Sequence, residues 1–236
     1  MSEFTIAIAD KKIHVSSIYP HVERVCENYL APGAQPDIYV TTDRKDIDAE
    51  RALAEESGCS EGYLESSAVH RKICSAMAEF NAFMMHGAVA AVENKAYMFT
   101  APSGTGKSTH VKLWLENVPG SYIVNGDKPM IIMKNGAAFA CGTPWCGKER
   151  MEKNTSVPLK AVVLLRRGER NEIRKVSPAD YIPDIIRQIH RPAERDAAVK
   201  VVALSEKLIN TVSFYELHCN MEPEAAETAW NVLRCL

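Results

Sequence analysis

Tyr97-Met98-Phe99-Thr100-Ala101-Pro102-Ser103-Gly104-Thr105-Gly106-Lys107-Ser108-Thr109 takes the chain from an apolar run through a glycine-rich loop into a helix-forming segment. Against the phosphate-binding pattern G-x-x-x-x-G-K-[S/T] it matches at Gly106, Lys107 and Ser108, with Ala101 where the first glycine belongs. Gly104 and Gly106 let the backbone take positive φ and bring its N–H groups close to a phosphate. A helix from Lys107 to about Asn117, with Val111, Trp114 and Leu115 turned inward, would add the positive end of its dipole at the same point. Lys107 supplies a full charge for the β and γ phosphates, and the Ser108 hydroxyl suits Mg²⁺. The sequence therefore predicts that Ser103, Gly104, Thr105, Gly106, Lys107, Ser108 and Thr109 hold a nucleotide, ATP, together with Mg²⁺.

A magnesium-nucleotide site also needs a carboxylate at the end of a neighbouring strand. Tyr122-Ile123-Val124 reads as that strand and Asn125-Gly126 as its turn, which places Asp127 at the carboxyl end. Asp127 is expected to ligate the metal with Ser108, or to take the proton from an attacking hydroxyl. His86-Gly87 lies just before the strand pair that leads into the loop. A histidine at a helix end there either satisfies a carbonyl or joins the chemistry. Gly142-Thr143-Pro144-Trp145-Cys146-Gly147-Lys148-Glu149-Arg150 is a loop stiffened by Pro and Trp that presents charges, and Lys148 and Glu149 are its candidate substrate contacts.

Around these segments, residues 4–8 and 13–18 read as a hairpin turning at Asp10-Lys11-Lys12, His21–Leu30 as a helix, and Asp37–Thr41 as a strand. Thr42–Ser57 reads as a charged, solvated stretch, and Tyr63 to about Met85 as a helix with Ala68, Ile73, Met77, Phe80 and Met84 on its buried stripe. Strands follow at 88–92 and 96–100, then at 130–133 and 137–141 around Asn135-Gly136, a strong hairpin signal. Further strands are read at 159–166, 172–176 and 212–218, with helices near 178–190, 193–208 and 223–236. Strands and helices mix without strict alternation, so the expected fold is a mixed α/β (α+β) sheet with flanking helices. Residues 1–60 would form an N-terminal embellishment and residues 61–236 the P-loop catalytic domain.

The 236 residues are 46% apolar and 25% charged, which excludes a disordered or collagen-like chain. Lys and Arg total 28 against 30 Asp and Glu, so no basic excess points to nucleic acid. Seven scattered cysteines form no CxxC pair and read as reduced buried thiols of a cytoplasmic protein. The first residues lack a signal-peptide pattern, and no apolar run approaches the roughly 20 residues of a membrane span.

The residues resemble the HPr kinase/phosphorylase family and its relatives, whose P-loop fold is shared with phosphoenolpyruvate carboxykinases. The resemblance rests on His86-Gly87, Ser103–Ser108, Val124-Asn125-Gly126-Asp127-Lys128, and Gly142–Glu149 followed by Pro158-Leu159-Lys160-Ala161, across residues 63 to 220. It implies a P-loop mixed sheet of that type, with Lys107 on phosphate, Ser108 and Asp127 on Mg²⁺, and His86 beside the catalytic carboxylate. Gly126 stands where the family has its first aspartate, the usual general base. Proton removal then falls to Asp127, with His86, or to a residue the sequence does not identify. No counterpart of the family's signature for HPr recognition and phosphorolysis is present, which argues against HPr as acceptor. The implied activity is an ATP- and Mg²⁺-dependent kinase acting on a hydroxyl of a small molecule or of a peptide or protein Ser/Thr, in a possible homo-oligomer. The alternative is a nucleotide-binding regulator without phosphoryl transfer. A carboxykinase is disfavoured because the chain is short and shows no arginine and metal-ligand set for oxaloacetate.

Overall fold

A computed structural model describes residues 1–54 and 58–236. A small sheet opens the chain: β1 (Ser2–Ile8) and β2 (Lys11–Ser17) are antiparallel, and β3 (Ile38–Thr41) runs parallel to β2. The hairpin turns at Ala9-Asp10, whose φ values of 50° and 63° fit a two-residue turn, so the bend comes one residue earlier than the sequence suggests. The expected helix 21–30 is shorter: α1 (Pro20–Val25) ends at Cys26 (φ −91°, ψ 6°), a 3₁₀ turn covers Glu27–Tyr29, and Leu30 bridges to Ile6.

The stretch read as solvated contains α2 (Arg44–Leu53), started by a capping box in which Asp43 and Asp46 satisfy each other's backbone N–H. Residues 55–57 of that stretch lie outside the described residues. Helix α3 (Glu61–Met77) also stops earlier than expected. A 3₁₀ turn follows, Asn81 takes φ 59°, and Ala82–Met84 becomes strand β4. Apolar side chains continue past Met77, so periodicity alone overran the break.

The main sheet has nine strands. After β4 come β5 (Ala88–Val92), β6 (Lys95–Thr100), β7 (Tyr122–Asn125), β8 (Met130–Lys134), β9 (Ala137–Cys141), β10 (Ser156–Arg167), β11 (Glu172–Val176) and β12 (Ser213–Cys219). Their order is β4-β8-β9-β10-β6-β5-β7, with β12 pairing β10 and β11. Strand β10 joins the two halves: Ser156–Pro158 pair with β9, Leu159–Leu164 pair with β6 across a register shift at Leu159/Ala161, and Ala161–Arg167 pair with β12.

Both faces of β6 and β10 are apolar, as strands covered on both sides require. Tyr97, Phe99, Val163 and Leu165 meet α4 (Lys107–Asn117) and α7 (Glu224–Leu233) through Val111, Trp114, Ala229 and Leu233. Met98, Val162 and Leu164 meet α5 (Ile182–Gln188) and α6 (Arg195–Thr211) through Ile185, Val201, Leu204 and Leu208. Leu115, expected inside, is 44% exposed, because Leu113, Trp114 and Val111 already fill the buried face of α4. A third core packs Phe4, Ile6, Ile13 and Val15 of the small sheet against Val69, Ile73 and Met77 of α3. Among the described residues no helix is long and apolar enough to cross a membrane.

Strand direction sets the site. Strands β10 and β12 run parallel to β6, while β5 is antiparallel to both β6 and β7. The carboxyl ends of β6, β7, β10 and β12 and the start of β5 therefore share one edge of the sheet.

Candidate functional site

At that edge the loop after β6 turns on Gly104 (φ 75°) and Gly106 (φ 118°), with open space where either Cβ would lie. Backbone conformation, rather than crowding, demands glycine here. Helix α4 begins at Lys107 with no side-chain cap on Gly106, so its first N–H groups are left for another acceptor. Arg167, at the end of β10, braces the loop by donating to the carbonyls of Gly104 (2.6 Å) and Thr105 (3.4 Å). Lys107 is buried, and its ammonium donates to the carbonyls of Ala101 (2.8 Å) and Pro102 (3.2 Å). Burial lowers its pKa against the opposing charge of Asp127. Thr105 Oγ1 donates to the Pro102 carbonyl (2.9 Å), while Ser103, Ser108 and Thr109 are exposed.

Asp127 is held by the turn after β7. The buried Asn125 side chain accepts from the backbone N–H of Asp127 (2.9 Å) and Lys128 (2.7 Å) and donates to the Thr143 carbonyl (2.9 Å). The Thr143 hydroxyl donates to the Lys128 carbonyl at 2.7 Å and closes the clasp. A Cβ on Gly126 would lie 2.9 Å from the Cys146 carbonyl oxygen and 3.4 Å from that of Met151, so the backbone leaves no room for a side chain there. Gly147 (φ 82°) sits against Asp127, where a Cβ would come within 3.2 Å of the aspartate Cβ.

His86 stands between β4 and β5, not at a helix end, and its surroundings are specific. Its backbone N–H donates to the Gln188 carbonyl (2.7 Å), and its carbonyl accepts from Thr100 Oγ1 (2.7 Å). The ring bridges Asp127 Oδ1 (Nε2, 2.8 Å) and Gln188 Oε1 (Nδ1, 3.2 Å). Burial pushes the Asp127 pKa up, but the His86 hydrogen bond and the charges of His86, Lys128 and Lys107 outweigh it, and the net shift is downward. The carboxylate is thus ionised near neutrality. Among the described residues no three His, Cys, Asp or Glu side chains gather to hold a metal by themselves. Asp127 and Ser108 offer hard oxygen donors, the kind that hold magnesium together with phosphate oxygens and water.

The structure thus brings His86, Asp127 and Lys107 together around the loop. Lys148 and Glu149 stand apart: both are exposed, and Glu149 pairs with Lys112 of α4 at 2.7 Å. Gly147 is the residue of that loop that touches Asp127. Trp145 anchors the loop instead, with its indole N–H on Ser66 Oγ (3.0 Å) and its ring 4.7 Å from that of His70. Sequence reasoning missed Gln188 and Arg167, whose partners lie about a hundred and about sixty positions away with no local pattern to mark them. The role of Asn125 was legible only as a turn residue.

No family model matches the chain, and no curated protein matches it. Among solved structures, the HPr(Ser) kinase/phosphatase from Coxiella burnetii is similar over 63% of this chain and 94% of that one, at 10% identity and a TM-score of 0.37. That is a very distant structural relationship.

Proposed function

We propose that this chain is an ATP- and Mg²⁺-dependent phosphotransferase that moves a phosphoryl group to the hydroxyl of a small molecule or of a peptide or protein Ser/Thr. One observation carries the reading: Lys107, buried under a glycine loop, and Asp127, clamped by His86, converge at one sheet edge. Phosphoryl transfer asks chiefly for positioning and charge neutralisation, which this edge supplies.

In this reading the N–H groups of Ser103 to Ser108 and the Lys107 ammonium hold the phosphates, and Ser108 would hold magnesium with phosphate oxygens and water, Asp127 joining it as a ligand only where it is not the proton acceptor. When bound, the metal neutralises phosphate charge. The acceptor hydroxyl oxygen attacks the γ phosphorus and its proton passes to the free oxygen of Asp127, which His86 orients. The bond from γ phosphorus to the bridging oxygen breaks, and its electron pair leaves on ADP. Residues 61–236 would form the catalytic unit and residues 1–60 its N-terminal addition. Lys148 and Glu149 remain candidate acceptor contacts only if their loop closes over the bound nucleotide.

The regulator reading loses ground because Asp127 supplies an ionised carboxylate at this edge although Gly126 bears none. Labelled ATP, Mg²⁺ and a panel of alcohols and Ser/Thr peptides test the choice. Acceptor-dependent ADP release and labelled product, both lost in Lys107→Ala, are expected. Nucleotide binding without consumption across the panel would leave a regulator.

A further inference from the structure

Where the chain runs on from β4 towards β5 it has a neighbour on each side. On one side Met84 pairs with Met130, and the ladder continues as the Met85 N–H donates to the Pro129 carbonyl (3.4 Å) and the Gly87 N–H to that of Asp127 (2.9 Å). On the other side Met85 bridges Ile189, with the His86 N–H on the Gln188 carbonyl (2.7 Å) and the His190 N–H on that of Met84 (3.0 Å). Residues opposite one another in antiparallel pairs share a face, and so do residues two apart along a strand. His86 therefore lies between Lys128 and Gln188 on one face, and His190 lies on that face beside Met84. Helix α3 covers the same face: Met84 and Met130 pack with its Val69, Ile73 and Cys74, and its His70 ring lies 6.2 Å from that of His190.

One charge on this face is unanswered. Lys128 is half-buried, and among the described residues its ammonium makes no hydrogen bond and no ion pair. The nitrogens of the His190 ring make none either. Burial comes first in holding the His70 and His190 pKa values down, and the charges of Lys128 and Arg71 add to it, so both cations stand close to both rings. The carboxylates nearby have other partners: Asp127 holds His86, Glu50 pairs with Arg71, and Glu194 accepts from Ser75 Oγ (2.7 Å). A half-buried ammonium has lost part of its hydration, and a bound anion restores what water no longer supplies.

We infer that the phosphoryl acceptor carries an anionic group of its own, a carboxylate or a phosphate, seated between Lys128 and His190. The inference rests on the phosphotransferase reading and names the class of its substrate: a molecule whose hydroxyl and anion lie a few bonds apart, such as a small hydroxy acid or a hydroxyalkyl phosphate, in place of a neutral alcohol. Lys128 directly follows Asp127, so an anion held by the ammonium keeps the hydroxyl beside the carboxylate that takes its proton. His86 stays on Asp127 and is not needed for holding the anion.

Histidine-ring NMR on the full chain, with isotope-labelled histidine, reads this without requiring turnover. Glycerol, glycerate and glycerol 3-phosphate are the probes, since they share hydroxyls and differ in charge. At least one of the two anions is expected to shift the His190 ring signals with an affinity about tenfold or more above that of glycerol, and the tighter one tells carboxylate from phosphate. Lys128→Met keeps the stem and should weaken that anion about tenfold or more, while Lys128→Arg should recover most of the loss and show that charge, not folding, was removed. The glycine loop also attracts phosphate, so Lys107→Met is titrated in parallel and should leave the His190 shift in place. Glycerol binding as tightly as both anions, unchanged affinity in Lys128→Met, no recovery in Lys128→Arg, or a shift lost in Lys107→Met would overturn the inference. The labelled-ATP assay separates the two readings: ADP release with neutral alcohols alone would remove the anionic acceptor and leave phosphoryl transfer standing. A His190 shift with no ADP release from any acceptor, acidic or neutral, would remove both and leave an anion site.

Discussion

The imidazole Nε2 of His86 and the carboxylate Oδ1 of Asp127 lie 2.8 Å apart, and the Gly87 N–H ties the same two segments again by donating to the Asp127 carbonyl at 2.9 Å. The double tie crosses between the start of β5 and the end of β7. Oδ1 belongs to His86, and among the described residues Oδ2 accepts no hydrogen bond. A free oxygen on an oriented, ionised carboxylate is what either a metal or a departing proton requires.

Replacing Asp127 by Asn keeps the shape and the His86 contact but removes the charge. Turnover should fall by about 10²–10⁴, with circular dichroism unchanged, while His86→Gln should cost less because Asp127 remains. Wild-type turnover by Asp127→Asn would take the carboxylate out of the mechanism.

Lys107→Met retains most of the buried stem and deletes the ammonium. Hydrogen bonds to charged groups are worth about 1.5–3 kcal/mol, so triphosphate affinity should drop roughly ten- to a hundredfold. Equilibrium binding checks this directly. Unchanged affinity would mean that the ammonium serves only the Ala101 and Pro102 carbonyls it contacts here.

What was legible in the sequence was local. Asn135-Gly136 announces its hairpin because both residues take positive φ (52° and 75°), and the glycine loop announces itself in the same way. Helix α2 was hidden because its charges outnumber its inward residues, of which Ile47 and Glu50 are the buried ones. Helix α3 was overrun because Phe83 and Met84 are as apolar in a strand as in a helix. Within the site, Lys107 and Asp127 stand close to their motifs. Gln188, the last residue of α5, reaches His86 because Ile189 just beyond it bridges Met85, a contact that no pattern in one sequence encodes.

Gly126 gives a sharper test of the local packing. A Cβ there meets the Cys146 carbonyl at 2.9 Å, a backbone atom that cannot swing aside. Gly126→Ala should destabilise the chain by about 1–3 kcal/mol, read as a lower urea midpoint, and Gly126→Asp by at least as much without gain in turnover. A stable, more active Gly126→Asp would show that the 146–151 segment yields readily.

Glu65 of α3 secures the small sheet. It is fully buried and accepts from the N–H groups of Ile18 (2.6 Å) and Tyr19 (2.7 Å) and from the Thr42 hydroxyl (2.7 Å). Glu65→Leu leaves those donors unpaired at about 1–3 kcal/mol each. A lower urea midpoint and faster amide exchange at Ile18 and Tyr19 are expected. Wild-type exchange at both amides would show that another acceptor replaces the carboxylate.

Acid should weaken the fold through its buried histidines. Burial holds His110 neutral with its pKa near 3, and burial together with the charges of Lys128, His190 and Arg71 keeps His70 well below its ordinary 6.5. Between the folded and unfolded values the unfolded chain binds a proton that the native chain refuses. Stability therefore rises with pH across that window, by about 1.4 kcal/mol per pH unit for each such group. Unfolding free energy should fall as pH drops from 6.5 towards 4. His110→Gln keeps an acceptor for the Trp114 indole but does not titrate, so its slope over the same range should be shallower by one proton. Urea titrations at a series of pH values measure both slopes, and identical slopes would mean that His110 is protonated in the folded chain.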